Sequence, residues 1–435
     1  MTAATMREVL DFAWDGPPPG GAAARRLRLL MLDSLGCMAA GLGHARVRAL
    51  GAALAGWMPG RLGLPGLEAG LSPAGAAALL AAAMCWDEAN EGLARAHGRP
   101  GLAVAPVCLA ALAGGCARLG EARAAFALGY EVAGRAGEAW RIRPGMHVDG
   151  SWHALGAAVA AARLSGADAE GAARAFRLVA CQIPFALYAP IAAGLDGRNS
   201  YPAHAVLLGT LAAASAAAGM DGPEAALAEA RFLALGLDQP PPAAPAGEWL
   251  LAEAYIKPFA GVRHAHYAAA AALRLGVAPE AIAALRLETY AEALRYAANR
   301  DPASAITAQF SLSWAVAAAL AQGDLGPAAY TAGALSDPGL RRIEALVELA
   351  EDTALTAAGR RGARLVATLS DGSRRSAEAG ALPGDPGTPL HEAEVIAKFR
   401  RYAAPVLGAE AAEAAIAALL EGANDAPLPG GILAG

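Results

Sequence analysis

Residues 255–267 bring together the side chains of this chain that are best suited to moving a proton beside a negative charge. Lys257 is one of only two lysines in a chain with 35 lysine and arginine residues, and Arg263, His264 and His266 follow it. Arginine stays protonated in proteins, whereas burial can lower the pKa of a lysine toward neutrality. The Ala-rich run from His266 predicts a helix, and the free amides at a helix start attract anions. This stretch therefore predicts a pocket for a small carboxylate.

Abstraction of a proton next to a carboxylate needs a base that titrates near neutral pH, and cations that stabilise the developing charge. Because imidazole titrates near pH ~6.5, His147 and His266 are candidate bases. Asp87 is a candidate to orient an imidazole or to serve as an acid. Arginine can pair with a carboxylate through two N–H groups at once. The candidates for binding carboxylates are Lys257, Arg99, Arg198 and Arg263.

No metal site is predicted. His264 and His266 are two positions apart, so on a helix they would not share a face, and no carboxylate lies nearby in the sequence. The five cysteines form no CxxC pair and each lies in an apolar run, which indicates buried free thiols and a cytoplasmic protein.

The composition narrows the class of protein. The chain has 435 residues, of which 56% are hydrophobic and 17% charged, with a net charge of -5. It has no basic block with interleaved aromatic residues, so nucleic-acid binding is not predicted. The two long uncharged runs, 199–220 and 302–323, contain polar residues throughout. They predict buried helices rather than membrane spans.

The apolar periodicity predicts a mainly α fold. Helices are expected over 24–41, 73–86, 104–119, 122–139, 155–164, 168–181, 202–218, 303–321 and 392–421. Strands are expected over 285–290, 343–349, 363–369 and 374–379, the last two joined by an Asp-Gly turn. We therefore predict a large all-α helical domain over 1–261 and 386–435, and a smaller α+β lid domain over 262–385.

Six short motifs in this order resemble the MmgE/PrpD family, which includes 2-methylcitrate dehydratase, cis-aconitate decarboxylase and iminodisuccinate epimerase. Each motif is weak alone, and the ordered set spans nearly the whole chain. The motifs are Leu32-Asp-Ser-Leu-Gly-Cys-Met-Ala-Ala-Gly41, Gly129-Tyr-Glu-Val-Ala-Gly-Arg135, Gly145-Met-His147, Lys257-Pro-Phe-Ala-Gly-Val-Arg-His-Ala-His266, Ala308-Gln-Phe-Ser-Leu-Ser-Trp314 and Lys398-Phe399.

The resemblance implies a helical domain built from both chain ends, an inserted lid, a homodimer, and a site between the domains that needs no metal or other cofactor. Lys257, His147 and His266 match family positions. Asp87 matches the first acid of an Asp-x-Asp-Asp motif whose later acids are absent here.

Several positions depart from the family pattern. Arg99-Pro100 stands for the usual His-Pro, and either Arg99 or His97 could take the place of that histidine. Arg198 and Tyr201 stand in a Lys-x-x-His motif, with His204 three residues further on. Trp314 replaces a tyrosine. These residues are included among the substrate-binding candidates, except Trp314.

The combined prediction is a metal-free lyase or isomerase that acts on a small di- or tricarboxylic acid. Dehydration, decarboxylation and epimerisation remain open, because all three begin with related carbanion chemistry. The departures motivate a second hypothesis, a non-catalytic ligand-binding or scaffold protein of the same fold. A third class, a helical isoprenoid cyclase, would need an aspartate-rich metal motif, and residues 87–91 resemble one only faintly.

Overall fold

A computed structural model of the protein describes residues 3–238, 248–385 and 387–433. The described residues form twenty α-helices and seven strands. The helices are α1 Ala3–Asp15, α2 Gly21–Leu42, α3 Ala45–Trp57, α4 Pro73–Trp86, α5 Gly101–Ala113, α6 Leu119–Ala139, α7 His153–Leu164, α8 Ala169–Ala180, α9 Ala189–Ala192, α10 Tyr201–Ala217, α11 Ala226–Leu235, α12 Arg263–Leu275, α13 Ala291–Ala297, α14 Ala305–Gln309, α15 Leu312–Gln322, α16 Ala332–Leu335, α17 Pro338–Leu346, α18 Thr353–Ala357, α19 Glu392–Leu407 and α20 Ala409–Glu421. The strands are β1 Pro59–Leu62, β2 Met146–His147, β3 Ala186–Leu187, β4 Ile282–Thr289, β5 Val347–Glu351, β6 Ala363–Leu369 and β7 Arg374–Ala379.

Helix α4 lies at the centre of the helical core, against α2, α5 and α10. Its start is encoded locally, because Ser72 caps the helix by accepting from the Gly75 N–H at 3.2 Å and Pro73 occupies the first turn. All residues from 75 to 85 are buried, so the helix is apolar on every side. The segment that follows α4 is therefore held at a fixed place deep in the protein.

Small residues let the core helices approach closely. A Cβ atom added to Gly129 of α6 would lie 2.8 Å from the carbonyl oxygen of Gly156 in α7. The reverse substitution at Gly156 would place Cβ 2.5 Å from the carbonyl oxygen of Gly129. Neither contact is tolerated, so the two glycines fix how α6 crosses α7 and where the loop before α7 emerges.

The two ends of the chain pack together. Helices α19 and α20 lie against α2, and Lys398 of α19 donates to Asp33 of α2 at 2.5 Å. The C-terminal helices therefore complete the core that the N-terminal helices begin.

The four-stranded sheet has the order β5-β4-β6-β7, with β4 parallel to β5 and antiparallel to β6. Strands β6 and β7 form the predicted hairpin, and Gly372 in its turn has a φ of +83°. Helix α12 packs against β6 and β7. The predicted fold class, mainly α with a smaller α+β part, is confirmed. The domain limits at 261/262 and 385/386 remain a prediction.

Several local predictions differ from the structure, among them the helix predicted over 104–119, which ends at Ala113. The strand predicted from residue 343 begins only at Val347, because Asp337 caps helix α17 by accepting from the Leu340 N–H at 2.8 Å. The single helix predicted over 303–321 is two helices, since Ser311 starts a new helix by capping α15. The thiols of Cys116 and Cys181 are exposed rather than buried. Within the described residues, no helix combines the length and apolar character needed to cross a membrane.

Candidate active site

A cavity of about 600 Å³ lies between the helical core and the part of the chain that carries the sheet. The core contributes the segment after α4, the loops before α5 and α7, and Tyr188. The other side contributes the start of α12, helix α13 and the loops around Phe310, Arg361 and Asp385. Six predicted site residues line the cavity: His97, Arg99, His147, Lys257, Arg263 and His264.

Glu88 is the central acid of the site, and the sequence analysis did not assign it a role. It follows α4 with a φ of +53°, a conformation that is uncommon outside glycine. Its carboxylate accepts from Arg99 at 2.9 Å, from Lys257 at 3.0 Å and from Arg198. Burial alone raises the pKa of this carboxyl group, but the charges of Arg198, Arg99 and Lys257 outweigh burial and hold the pKa well below its usual value.

Asp149 is the second acid that the sequence analysis missed. It lies in the loop before α7, and its carboxylate accepts from Arg99 and, at 3.2 Å, from Arg198. Burial opposes ionisation, but the positive neighbours, Arg99 first, lower the pKa of Asp149 to about 2. Arg99 and Arg198 therefore bond to the same two carboxylates, Glu88 and Asp149.

Lys257 lines the cavity and is almost fully buried. Its Nζ donates to the carbonyl oxygen of Glu88 at 2.8 Å, to Glu88 Oε2 at 3.0 Å and to the carbonyl oxygen of Gly261 at 3.4 Å. Burial lowers the pKa of Lys257 to about 8, although the Glu88 carboxylate opposes that change. Lys257 can thus lose a proton close to neutral pH.

His147 presents one ring nitrogen for a ligand. Its Nδ1 accepts from the backbone N–H of Asp149 at 3.1 Å, so the neutral ring carries its proton on Nε2. Burial lowers the pKa of His147, which favours this neutral form. Nε2 has no hydrogen-bond partner in residues 3–238, 248–385 and 387–433. In this form His147 can donate a hydrogen bond through Nε2. The sequence analysis considered His147 as a base, which would instead accept a proton.

Helix α12 begins at Arg263, three residues earlier than predicted, and this start decides which side chains face the cavity. Arg263, His264 and Tyr267 share one face and line the cavity. His266 lies on another face, fully buried, with its Nε2 bonded to the carbonyl oxygen of Gly261 at 3.1 Å. Burial holds the pKa of His266 well below its usual value. In this position His266 supports the Gly261 turn and does not reach the cavity.

The His264 ring lies between aromatic side chains. Its Nδ1 is 2.6 Å from the hydroxyl oxygen of Tyr290, and its ring stacks on Tyr296. Burial lowers the pKa of His264 to about 3, so it is a neutral ring in the cavity wall.

Four further predicted residues lie outside the cavity lining. The Asp87 carboxylate accepts from His44 Nε2 at 3.0 Å. Arg198 is buried behind the lining and contacts it through Glu88 and Asp149. Tyr201 donates to the carbonyl oxygen of Leu187 at 3.1 Å, and His204 is exposed on α10. Trp314, the substituted tyrosine position, is buried and donates to the carbonyl oxygen of Ala329 at 3.0 Å.

One group of potential metal ligands adjoins the cavity. Ligand atoms of Cys85, Glu88 and Asp149 lie within 4.8 Å of one another. All three already accept from the guanidinium groups of Arg99 and Arg198. Two arginines therefore supply the positive charge at the place where these ligands converge.

The fold combines a helical core, a small sheet-bearing part and a charged cavity between them. The sequence comparison identifies the family that has this combination. The sequence models of the MmgE/PrpD N-terminal and C-terminal domains match residues 9–242 and 259–421, so the chain belongs to the MmgE/PrpD family. This confirms the predicted resemblance, and the family includes dehydratases and related enzymes. Comparison with curated proteins gives no match.

Proposed function

We propose that this protein is a lyase or isomerase that removes a proton next to the carboxylate of a small carboxylic acid, without a resident metal ion. The observation that carries the proposal is Lys257, an almost fully buried amine with a pKa of about 8 in the wall of the cavity between the helical core and the sheet. How many carboxylates the acid carries depends on how the charges of the cavity are paired.

In the proposed reaction the neutral amine of Lys257 accepts the proton. The amine keeps two N–H groups for the carbonyl oxygen and Oε2 of Glu88, which fix its position. Its third hydrogen bond, to Gly261, is the longest at 3.4 Å, so this is the N–H that is lost most easily. The lone pair that replaces it faces the Gly261 carbonyl oxygen, so rotation about the Cε–Nζ bond has to turn it toward the substrate before it acts as the base.

The negative charge that develops on the substrate needs donors that are already in place. His147 Nε2–H is one, because the Asp149 amide fixes the proton on that nitrogen. In a dehydration the same N–H would donate a hydrogen bond to the departing hydroxyl oxygen, which takes its proton from the Lys257 ammonium group formed in the first step. In an epimerisation the N–H would bond to the carboxylate. Dehydration, decarboxylation and epimerisation all remain compatible with these two groups.

The second candidate function, a non-catalytic ligand-binding protein, is favoured by the pairing of Arg99 and Arg198 with Glu88 and Asp149. The protein's own carboxylates balance the charges of these guanidinium groups, although Nε and Nη2 of the buried Arg198 have no hydrogen-bond partner among the described residues. The homodimer and the cytoplasmic location implied at the start remain predictions, as does the absence of a nucleic-acid partner.

Proton NMR in heavy water distinguishes the two functions. The protein is incubated with hydroxy acids and unsaturated acids, beside Lys257→Met and the surface control Arg400→Ala. Deuterium incorporation or product formation that persists in Arg400→Ala and disappears in Lys257→Met supports proton abstraction. Saturable binding without any exchange, equal in the wild type and Lys257→Met, supports the non-catalytic alternative.

A further inference from the structure

The cations that line the cavity are nearly balanced by anions that line it as well. Five lining side chains are positively charged: Arg99, Arg141, Lys257, Arg263 and Arg361. Four are negatively charged: Glu88, Asp149, Glu292 and Asp385. Arg198, which bonds to Glu88 and Asp149 from behind the lining, adds a sixth positive charge, and Lys257 has no charge in the form that acts as the base. In that form the site carries one net positive charge, which is far less than a tricarboxylate would need for neutralisation.

The pairing is local as well as overall. Arg99 and Lys257 both donate to Glu88, and Arg99 also donates to Asp149. Arg263, which is 8% exposed, is paired with Asp385. Each of these cations would have to exchange an internal carboxylate for one on the ligand.

Of the two remaining lining cations, Arg361 is paired with a carboxylate and Arg141 is not. Arg361 pairs with Glu292 at 3.3 Å. Arg141 donates to the carbonyl oxygen of Arg95 at 3.0 Å and has no ion-pair partner among the described residues. Arg141 is therefore the lining cation whose charge is left for one carboxylate of the ligand.

One part of the cavity wall is apolar and aromatic. Tyr188 stacks on His147 with 6.2 Å between ring centroids, and it meets Tyr296 and Phe310 edge-on at 5.9 and 6.2 Å. Met146 and Val262 complete this wall. Phe310 also covers Arg198, whose guanidinium carbon is 5.5 Å from the ring. An apolar or aromatic group would bury its surface here beside His147.

We infer that the ligand of this cavity is a monocarboxylic acid with an apolar or aromatic substituent, rather than a tricarboxylic acid. The inference rests on the proposed function in taking this cavity as the substrate site and Lys257 as its neutral base. It replaces the di- or tricarboxylic acid that the family resemblance implied.

The test compares four acids by isothermal titration calorimetry with the full chain. They are 3-phenylpropanoate, phenylsuccinate, butyrate and tricarballylate, which separate the effect of the ring from that of each extra carboxylate. We expect 3-phenylpropanoate to bind at least about tenfold more tightly than tricarballylate, since unpaired buried charges cost more than a hydrogen bond returns. We also expect butyrate to bind more weakly than 3-phenylpropanoate, because it lacks the ring.

Two variants test the charge argument, because each removes one internal carboxylate and leaves its arginine for the ligand. Asp385→Asn frees Arg263, and Glu292→Gln frees Arg361 in case the first variant does not fold. Either should tighten phenylsuccinate about tenfold relative to 3-phenylpropanoate, the value of one charge-assisted hydrogen bond. Glu348→Gln is the control, because that carboxylate pairs with Arg286 on the exposed side of the sheet.

Tricarballylate that binds as tightly as 3-phenylpropanoate would overturn the inference, and so would a cavity that binds none of the four acids. Deuterium exchange with 3-hydroxy-3-phenylpropanoate separates this result from the proposed chemistry. Selective binding without exchange would leave the substrate class standing and remove the catalytic role of Lys257. Exchange of citrate, together with tight binding of tricarballylate, would support the catalytic role of Lys257 and overturn the inferred substrate class.

Discussion

Lys257 and Lys398, the only two lysines of the chain, donate to consecutive backbone carbonyl groups. Lys257 Nζ is 2.8 Å from the carbonyl oxygen of Glu88, and Lys398 Nζ is 2.7 Å from that of Ala89. Lys398 also donates to Asp33 at 2.5 Å. One lysine comes from the cavity wall and the other from a C-terminal helix, so the segment that carries Glu88 is fixed from two sides.

The first prediction concerns Lys398. Lys398→Ala should lower the free energy of unfolding by about 3–5 kcal/mol, because it leaves the buried carboxylate of Asp33 without its partner. It should also lower kcat, although Lys398 does not line the cavity, because the Glu88 segment loses a support. Urea unfolding and the exchange assay measure the two effects.

The matched control for Lys398 is Arg400, two residues along the same helix. Arg400 pairs with Glu413 while both side chains are half exposed, so Arg400→Ala should leave the free energy of unfolding almost unchanged. If both variants lose the same free energy of unfolding and the same kcat, the buried contact of Lys398 with Ala89 and Asp33 does not stabilise the site as described.

The second prediction is a pH dependence. If neutral Lys257 is the base, kcat/KM should rise about tenfold per pH unit in acid and level off above pH 8, because only the deprotonated amine accepts a proton. Lys257→Met should remove both the activity and this dependence. A wild-type rate that is already level between pH 6 and pH 9 would contradict the assignment of Lys257.

The third prediction is that Glu88 influences the pH at which kcat/KM rises. The Glu88 carboxylate raises the pKa of Lys257, so Glu88→Gln should shift the rise of kcat/KM to lower pH. Glu344→Gln removes an equally buried carboxylate, which bonds to Arg300 and Ser313 and not to Lys257. It should leave the midpoint unchanged, and a shift to higher pH in Glu88→Gln would be inconsistent with the pairing described.

The fourth prediction concerns the proton on His147. Nitrogen NMR at pH 7 should show a neutral ring protonated at Nε2, because Nδ1 accepts from the Asp149 amide and burial lowers the pKa. His147→Gln assigns the signal, and the exposed His204 ring provides a comparison in the same spectrum. A proton found on Nδ1 would show that His147 presents a lone pair to the ligand and would restore it as a candidate base.

The elements that local signals define were predictable from the sequence. The limits predicted for α4, 73–86, agree with the structure, because Ser72 and Pro73 mark the start of the helix in the sequence itself. The hairpin of β6 and β7 was equally clear from its Asp-Gly turn. Lys257 could be found because a lysine is rare in this arginine-rich chain.

The charge pairing of the site could not be read in the same way. Glu88 and Arg198 are 110 residues apart in the chain, and no local pattern encodes their contact. His264 and His266 were both candidate site residues, and only the structure shows that His264 lines the cavity while His266 does not. Asp149 follows His147 by two residues in the sequence, but only the fold shows that it neutralises Arg99.

The burial of both lysines makes the protein suitable for chemical labelling. Lys257 is 2% exposed and Lys398 is 5% exposed, so a succinimidyl ester can acylate their side-chain amines only after the chain opens. An opening limited to the cavity would expose Lys257 alone, whereas unfolding of the helical core would expose both. The ratio of the two acylation rates, measured by mass spectrometry, therefore separates local breathing of the cavity from global unfolding without any introduced probe.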